Sequence, residues 1–465
     1  MSVIVNDIHS ELNASEVHEV VTVDSLDVLR AGIARSHTSG VPVVVAGGRY
    51  AMGGQQFCEG GLLLDTTRMN RILDLDTDRG LVDVEAGIQW PELIDGLEEA
   101  QPGRPRPWTI AQKQTGADRL SIGGAISANA HGRGLTMGPF VSDIESLMLV
   151  NADGDTVECS RTQNSELFGL VVGGYGLFGC IYKATLRLVP RRMLERIVEL
   201  DTVDKLSKRF EDRIREGFLY GDFQFAIDST SDDFLHTGVF SCYRPVESDQ
   251  PPPRDQQVLS DNDWRKLIAL AHTDKSLAFK LYSEHYLATS GQIYQSDRLQ
   301  LAGYQVGYHR AIDEVTGQAD RASEMISELY VPHDRLADFM AAAAEDLRRH
   351  QVDVIYGTVR LVERDDISFL AWATQPWACV ILNLHTVHTP QGIAHSTDAF
   401  RRLIDLAVGF GGTYYLTYHR WATRTQVETC YPQLPQFLAL KRQYDPEERF
   451  QSDWYRHYRD MFSHE

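Results

Sequence analysis

Three short stretches of the chain combine glycine with small residues at a density suited to bringing backbone close to an anion. AGGRYAMGGQQF, residues 46–57, places four glycines among positions 47–54; SIGGAISANAHGRG spans 121–134 and VVGGYGLFG spans 171–179. Without a Cβ, successive N–H groups can converge on phosphate oxygens free of steric conflict. Any one cluster could equally mark a tight turn. None stands as the G-x-G-x-x-G that follows the first strand of a nucleotide-binding βαβ unit, and no G-x-x-x-x-G-K-[ST] occurs. Three clusters beside β-rich runs call for one explanation. A long, flat cofactor with a pyrophosphate waist needs several such approaches, and FAD meets that need better than a small nucleotide.

Other chemistries find less support. Cys58, Cys159, Cys180, Cys242, Cys379 and Cys430 stand singly with no C-x-x-C pair, which argues against a thiolate zinc site or a disulfide scaffold. His385 and His388 lie three apart in a strand that leaves into a loop near Pro390, with no fixed carboxylate partner and no H-E-x-x-H, so no metal is expected. A G-x-S-x-G elbow is missing. The net charge of −20 disfavours nucleic acid and anionic membranes as partners. The N-terminus reaches charged residues before a signal-length apolar run develops, and Tyr175, Tyr182, Lys183 and Arg187 interrupt the one apolar stretch that approaches a span. A soluble, cytoplasmic protein is the expectation.

The elements that must position such a cofactor can be read from periodicity. At 465 residues two domains are expected. In the first ~190 residues, VDSLDVLRAGIARSHTSG has helical spacing and stops at Gly40, and QWPELIDGLEEA reads as a short helix. VPVVVAGG, GLLLDT, LVDVEAG, IESLMLVNADGDTVEC and CIYKATLRLVP read as strands. Residues 244–262, with Pro251-Pro252-Pro253, form the best loop or linker candidate. Helices are expected around 263–287, in PHDRLADFMAAAAEDLRRH and in STDAFRRLIDLAVGFGG, with strands at 352–360 and 377–386. No internal sequence repeat is seen. The middle portion suggests an α+β domain unlike the glycine-punctuated first part.

The three clusters, with VDVEAGIQW at 82–90, resemble the FAD-binding domain of the vanillyl-alcohol oxidase superfamily, the FAD-binding PCMH-type oxidoreductases. The first loop of that family reads like G-R-x-H-S-x-x-G-Q, and here GGRYAMGGQ occupies 47–55; its S-x-G-G-x-x-x-x-x-x-H-G element is SIGGAISANAHG here. The likeness is strong over 40–190, weak over 200–350, and returns in YDPEERFQSDW at 444–454. It implies an α+β, two-domain fold: an α/β FAD-binding domain over 1–195, a substrate (cap) domain on an antiparallel sheet over 196–410, and a segment 411–465 that returns to the first domain and the flavin. The residues implied to bind FAD are Gly47, Gly48, Arg49, Tyr50, Ala51, Met52, Gly53, Gly54 and Gln55. Ser121, Gly123, Gly124, Ser127, Asn129, His131 and Gly132 follow, then Gly174, Gly176, Gly179 and Ile181. Arg49 could pair with phosphate or with a surface carboxylate. Many relatives link the flavin covalently to a histidine where Tyr50 stands, and bicovalent ones add a cysteine near the position of Ala117; neither residue is present, so FAD is expected to bind non-covalently.

The general look is nearest to sugar and polyol oxidases, aldonolactone oxidoreductases and decaprenylphosphoryl-ribose oxidase. The resemblance therefore implies oxidation of a CH–OH group by hydride transfer to flavin, with oxygen or another acceptor taking the electrons. The alternative is reduction of an activated double bond. Four catalytic candidates follow: Glu328 in SELYVP, Arg360 at the end of YGTVR, and Tyr418 and His419 in GGTYYLTYHRW. An imidazole near neutrality could take the alcohol proton. On a regular strand Tyr418 and His419 point to opposite faces, so only one would reach the flavin side. Trp372, Trp377, Tyr414, Tyr415 and Trp421 could wall the pocket or fill the core.

Overall fold

The computed structural model describes residues 2–247, 252–253, 255–302 and 307–463; positions 248–251 and 254 of the loop candidate lie outside the described residues. Ser25 caps the helix Leu26–Ser39 by accepting from the N–H of Val28, and Gly40 ends it at φ 71. Leu29 and Ile33 on its buried face pack against a small parallel sheet of Glu19–Thr22, Leu62–Asp65 and Val43–Ala46, with Leu62–Asp65 in the middle. A six-stranded antiparallel sheet follows. Its centre is the long strand Cys180–Pro190, flanked by Ile144–Val150 and Leu81–Glu85. All the strands and helices expected in this part form.

The remainder is organised by an eight-stranded sheet. Its order is Ile293–Gln295, Met193–Thr202, Thr237–Val246, Tyr220–Phe225, Val354–Val362, Trp377–Val387, Ala322–Val331, Thr413–Tyr414. Two copies of one strand–helix–strand–strand unit account for six of these strands. The first runs through the helix Val203–Arg215 and the second through Leu336–Arg349. They meet back to back where Phe223 pairs with Val359 and Gln224 with Thr358. The duplication is architectural; the two units share no visible sequence repeat.

Alternation assigns the faces of this sheet. On Ala322–Val331, Met325 and Leu329 join the buried core, while Glu324, Ile326 and Glu328 face a cavity toward the first domain. The helices Asp261–Thr273 and Lys275–Ala288 border the same cavity. Residues 449–453 then lie along the open edge of Val43–Ala46. Val43 donates its N–H to Arg449 and accepts from Gln451, and Asp453 N–H bonds the carbonyl of Phe57. Among the described residues, no helix is long and apolar enough to cross a membrane.

Candidate active site

A cavity of about 560 Å³ runs between the glycine clusters and the face of the eight-stranded sheet. In the first cluster, the N–H groups of Gly47, Gly48, Arg49 and Ala51 find no acceptor among the described residues, although all four residues line the cavity. Unbonded backbone donors in a half-buried loop need an acceptor from elsewhere, and phosphate oxygens supply it. The donors that open the helix of the second cluster are already spent. Ile122 and Gly123 bond the carbonyls of Ile88 and Ala86, and Gly124 bonds the Ser121 hydroxyl. The third cluster is stitched to the second through Gly173 N–H to Ile126 and Tyr175 N–H to Ser127. Gly174, Gly176 and Gly179 do have G-x-G-x-x-G spacing, but they precede the strand Cys180–Pro190 rather than follow one.

The glycines therefore divide by purpose. A Cβ on Gly47 would meet Ser121 Oγ at 2.0 Å, and one on Gly48 the Arg119 carbonyl at 2.3 Å, so these two let the first and second loops touch. Of the residues implied to hold FAD, Gly47, Gly48, Arg49, Tyr50, Ala51, Gln55, Ser121, Gly123, Gly124, Ser127, His131, Gly176, Gly179 and Ile181 line the cavity. Six do not. Met52 is packed in the core, and Gly53 and Gly54 shape the turn behind the loop, Gly54 at φ 77. Asn129 ends the helix Ile122–Ala128 at φ 46 and ties it to Asp365 and Ser368 through its amide. Gly132 offers its carbonyl to His131, and a Cβ on Gly174 would strike the Leu170 carbonyl at 1.9 Å. Arg49 meets both readings, lining the cavity while its guanidinium pairs with Asp65 at 2.9 Å.

His131 sits where the chain leaves the Asn129 turn, and it reaches across to the other domain. Its Nε2 lies 2.6 Å from Glu328 Oε1, and its Nδ1 lies 3.0 Å from the Gly132 carbonyl. A carbonyl only accepts, so Nδ1 carries hydrogen, and the short Nε2–Oε1 contact then holds a further proton. Tyr330 Oη at 2.5 Å and Cys379 Sγ at 3.3 Å donate to the same oxygen. Burial pushes the Glu328 carboxyl up, but the His131 charge and these three hydrogen bonds outweigh it and hold the group below its ordinary value. The site thus contains a buried, hydrogen-bonded Glu328–His131 pair, at 3% and 6% exposure.

Tyr418 lines the same space, its ring edge-on to Tyr415 at 5.3 Å. Burial, reinforced by the Glu328 charge, pushes its phenol well above the usual range, so it stays a hydrogen-bond donor. Arg360 reaches the cavity from Val354–Val362, and its Nε has no hydrogen-bond partner among the described residues. His419 is elsewhere. It stacks between Phe400, Tyr414 and Trp421 and does not line the cavity, and burial lowers its pKa to about 3. The segment is not a continuing strand: pairing stops at Tyr414 and the chain turns at 416–418. Of the five aromatic candidates for the wall, Tyr415 alone lines the cavity; Trp372, Trp377 and Tyr414 are core, and Trp421 packs against it.

Several residues in and around the site had no sequence signal of their own. Tyr330 and Cys379 become neighbours through strand register. Tyr282 and Tyr286, stacked at 4.2 Å, share one helix face, and their i, i+4 spacing was the signal available. His385 has the carboxylate partner that the sequence reading denied it, because the register sets Glu324 directly opposite. Asp365 is 5% exposed and anchors the Asn129 amide.

Residues 17–160 match the family described as FAD binding domain. L-gulono-1,4-lactone dehydrogenase of Mycobacterium tuberculosis is 24% identical over 402 residues, covering 86% of this chain and 86% of that protein. Decaprenylphosphoryl-beta-D-ribose oxidase of Mycolicibacterium smegmatis is 24% identical over 457 residues, covering 95% and 94%. L-galactono-1,4-lactone dehydrogenase 2 of Oryza sativa is 25% identical over 409 residues; these cover 80% of this chain and 65% of the mitochondrial rice protein, a little under two thirds of its length. The unbonded N–H groups at 47–51, the touching glycine loops and this matched segment agree. Through its FAD binding domain and these relatives the chain matches the vanillyl-alcohol oxidase superfamily, whose members are FAD-dependent oxidoreductases of the FAD-binding PCMH type.

Proposed function

We propose that this protein oxidises a CH–OH group of a sugar-like or polyol substrate, such as an aldonolactone or a ribose derivative, with FAD held non-covalently by residues of 1–195. Substrate would be held by residues of 196–410, and the segment 411–465 would complete the site through Tyr415 and Tyr418. The observation that carries the reading is the convergence of Glu328–His131, Tyr418 and Arg360 on the cavity that the glycine loops line. Relatives that act on lactones and on a phosphoryl ribose point to the same substrate chemistry.

FAD, when bound, supplies the acceptor for the hydride that leaves the substrate carbon. The Glu328 carboxylate accepts the hydroxyl proton, and His131, hydrogen-bonded to it at 2.6 Å, holds it in place. Tyr418, kept neutral by burial and by Glu328, donates a hydrogen bond that fixes the substrate oxygen. Arg360 brings an unbonded Nε–H to a polyhydroxy or anionic substrate. His419 has no part in this, lying outside the cavity. Oxygen or another electron acceptor completes the turnover. Tyr50, in place of a linking histidine, lines the cavity, and burial raises its phenol pKa, which leaves it a poor nucleophile. Six unpaired cysteines, five of them buried, suit a reducing cytoplasm.

Anaerobic mixing with aldonolactones, polyols, ribose derivatives and aromatic alcohols tests the reading, with loss of oxidised-flavin absorbance as the signal. A sugar-like alcohol should bleach the flavin, and acid precipitation should release all yellow colour to the supernatant. Bleaching by no alcohol, together with electron transfer from chemically reduced enzyme to an activated alkene, would reverse the assigned direction. Flavin fluorescence that stays on the denatured polypeptide would overturn the non-covalent assignment.

A further inference from the structure

A second carboxylate on the cavity strand, Glu324, gathers three imidazoles from three different elements. His385 faces it across the sheet, His272 comes from the helix Asp261–Thr273, and His309 opens the helix His309–Thr316. Glu324 Oε1 lies 3.3 Å from His272 Nε2 and 3.5 Å from His385 Nδ1, and Oε2 lies 2.8 Å from His309 Nδ1. All four side chains are at most 7% exposed. His309 closes on Glu324 as an ordinary ion pair, but His272 Nε2, buried and aimed at Oε1, has no hydrogen-bond partner among the described residues. Buried polar atoms in native proteins are satisfied, so this nitrogen lacks an occupant.

The distances identify it. A hydrogen-bonded imidazole–carboxylate pair closes as His131 and Glu328 do, to 2.6 Å. Two ligands of one tetrahedral ion, each at about 2.0–2.1 Å, are separated by an edge of about 3.3–3.4 Å. The His272 and His385 contacts to Oε1, at 3.3 and 3.5 Å, have the second spacing, and the ligand atoms of His272, Glu324 and His385 lie within 4.8 Å of one another. Supporting bonds orient the ligands. Tyr308 Oη donates to Glu324 Oε2 at 2.5 Å, and the Gln318 amide lies 3.0 Å from His385 Nε2.

We propose that His272, Glu324 and His385 bind one divalent transition-metal ion of the Zn²⁺ kind, leaving its fourth position open to an exogenous ligand. Imidazole with carboxylate is the donor set of that ion class, and no thiolate is required. The site stands four residues along the strand from Glu328 on the same face, roughly 13 Å away at the rise of a β-strand. The ion fastens the helix Asp261–Thr273 to the sheet, and Glu324 turns it toward the cavity.

The test uses tag-free, FAD-loaded protein freed of metal by a chelator and titrated with Co²⁺, then with Zn²⁺ in competition. One Co²⁺ per chain should produce visible d–d bands to the red of the flavin, bleached by Zn²⁺ and accompanied by a rise in Tm. Glu324→Gln and His385→Gln should each weaken binding by about 10²-fold or more, since loss of a ligand exceeds loss of a supporting hydrogen bond. If Glu324→Gln does not fold, His272→Gln, which changes a helix residue outside the sheet, gives the same reading with the far-ultraviolet dichroism as control. Absence of Co²⁺ bands at millimolar metal, or equal affinity in wild type and variants, overturns the proposal.

Discussion

Replacing His419 by phenylalanine isolates the cost of keeping an imidazole uncharged inside an aromatic cluster. Burial moves its pKa from 6.5 to about 3. Between those values the unfolded chain binds a proton that the folded chain refuses, so stability falls as pH drops below 6.5 and goes on falling toward 3. At about 1.4 kcal/mol per pH unit, going from about pH 7.5 to about pH 5 costs about 2 kcal/mol through this one group. His419→Phe removes the cost while keeping a ring among Phe400, Tyr414 and Trp421. It gives up only a long hydrogen bond of 3.4 Å from the Trp421 N–H. Urea unfolding of the FAD-saturated proteins at the two pH values measures the effect. Wild type should lose about 2 kcal/mol more than the variant, every other titrating group cancelling in the difference. Flavin reduction by substrate should stay within about twofold, whereas loss of a general base costs about 10²-fold or more. An identical pH dependence in both proteins, or a collapse of flavin reduction in the variant, would refute the placement of His419.

Glu328→Gln should slow flavin reduction by roughly 10²-fold or more in stopped flow. Because its carboxyl is held below the ordinary range, the wild-type rate should persist as pH falls through that range and drop only beyond it; a variant with the same rate would remove Glu328 from the chemistry. Gly48→Val should loosen FAD by about tenfold or more in a fluorescence titration, because a Cβ there lies 2.3 Å from the Arg119 carbonyl and drives the two loops apart. Gly54→Val, at φ 77, should instead cost thermal stability, about 1 kcal/mol or more, with a smaller effect on affinity; the reverse order would show that the second glycine pair contacts the cofactor.

The cofactor domain was legible because its signals are local. A strand such as VPVVV and a helix ending at Gly40 announce themselves within a dozen residues. The function of individual glycines was not, since Gly48 owes its identity to Arg119, which is distant in sequence. The same limit governs the site. Glu328 and Tyr418 could be picked out, but Tyr418 and His419 were placed by assuming a strand, and the chain turns there instead. Glu324 meets His385 through register across 61 positions, and no spacing rule applied to either residue by itself encodes that meeting. The doubled cap unit left no trace because packing constrains apolar character on alternate positions, which many different residues satisfy.

The strip of chain at 449–453 that lies along Val43–Ala46 has a bearing on how the protein is made. The Glu59 N–H donates a hydrogen bond to the Asp453 carboxylate, a sequence separation of 394. At about 5–20 residues per second, the ribosome takes roughly 20–80 s to synthesise the intervening chain. Throughout that interval the Val43–Ala46 strand is an open edge, with apolar neighbours on both sides and no partner for its outer hydrogen bonds. The eight-stranded sheet can assemble meanwhile from residues already made. The parallel sheet that carries the first glycine loop cannot close until translation has passed Phe450, so FAD capture by that loop waits for the segment 449–453. A nascent chain stalled before that point should expose an edge that chaperones or other chains can occupy.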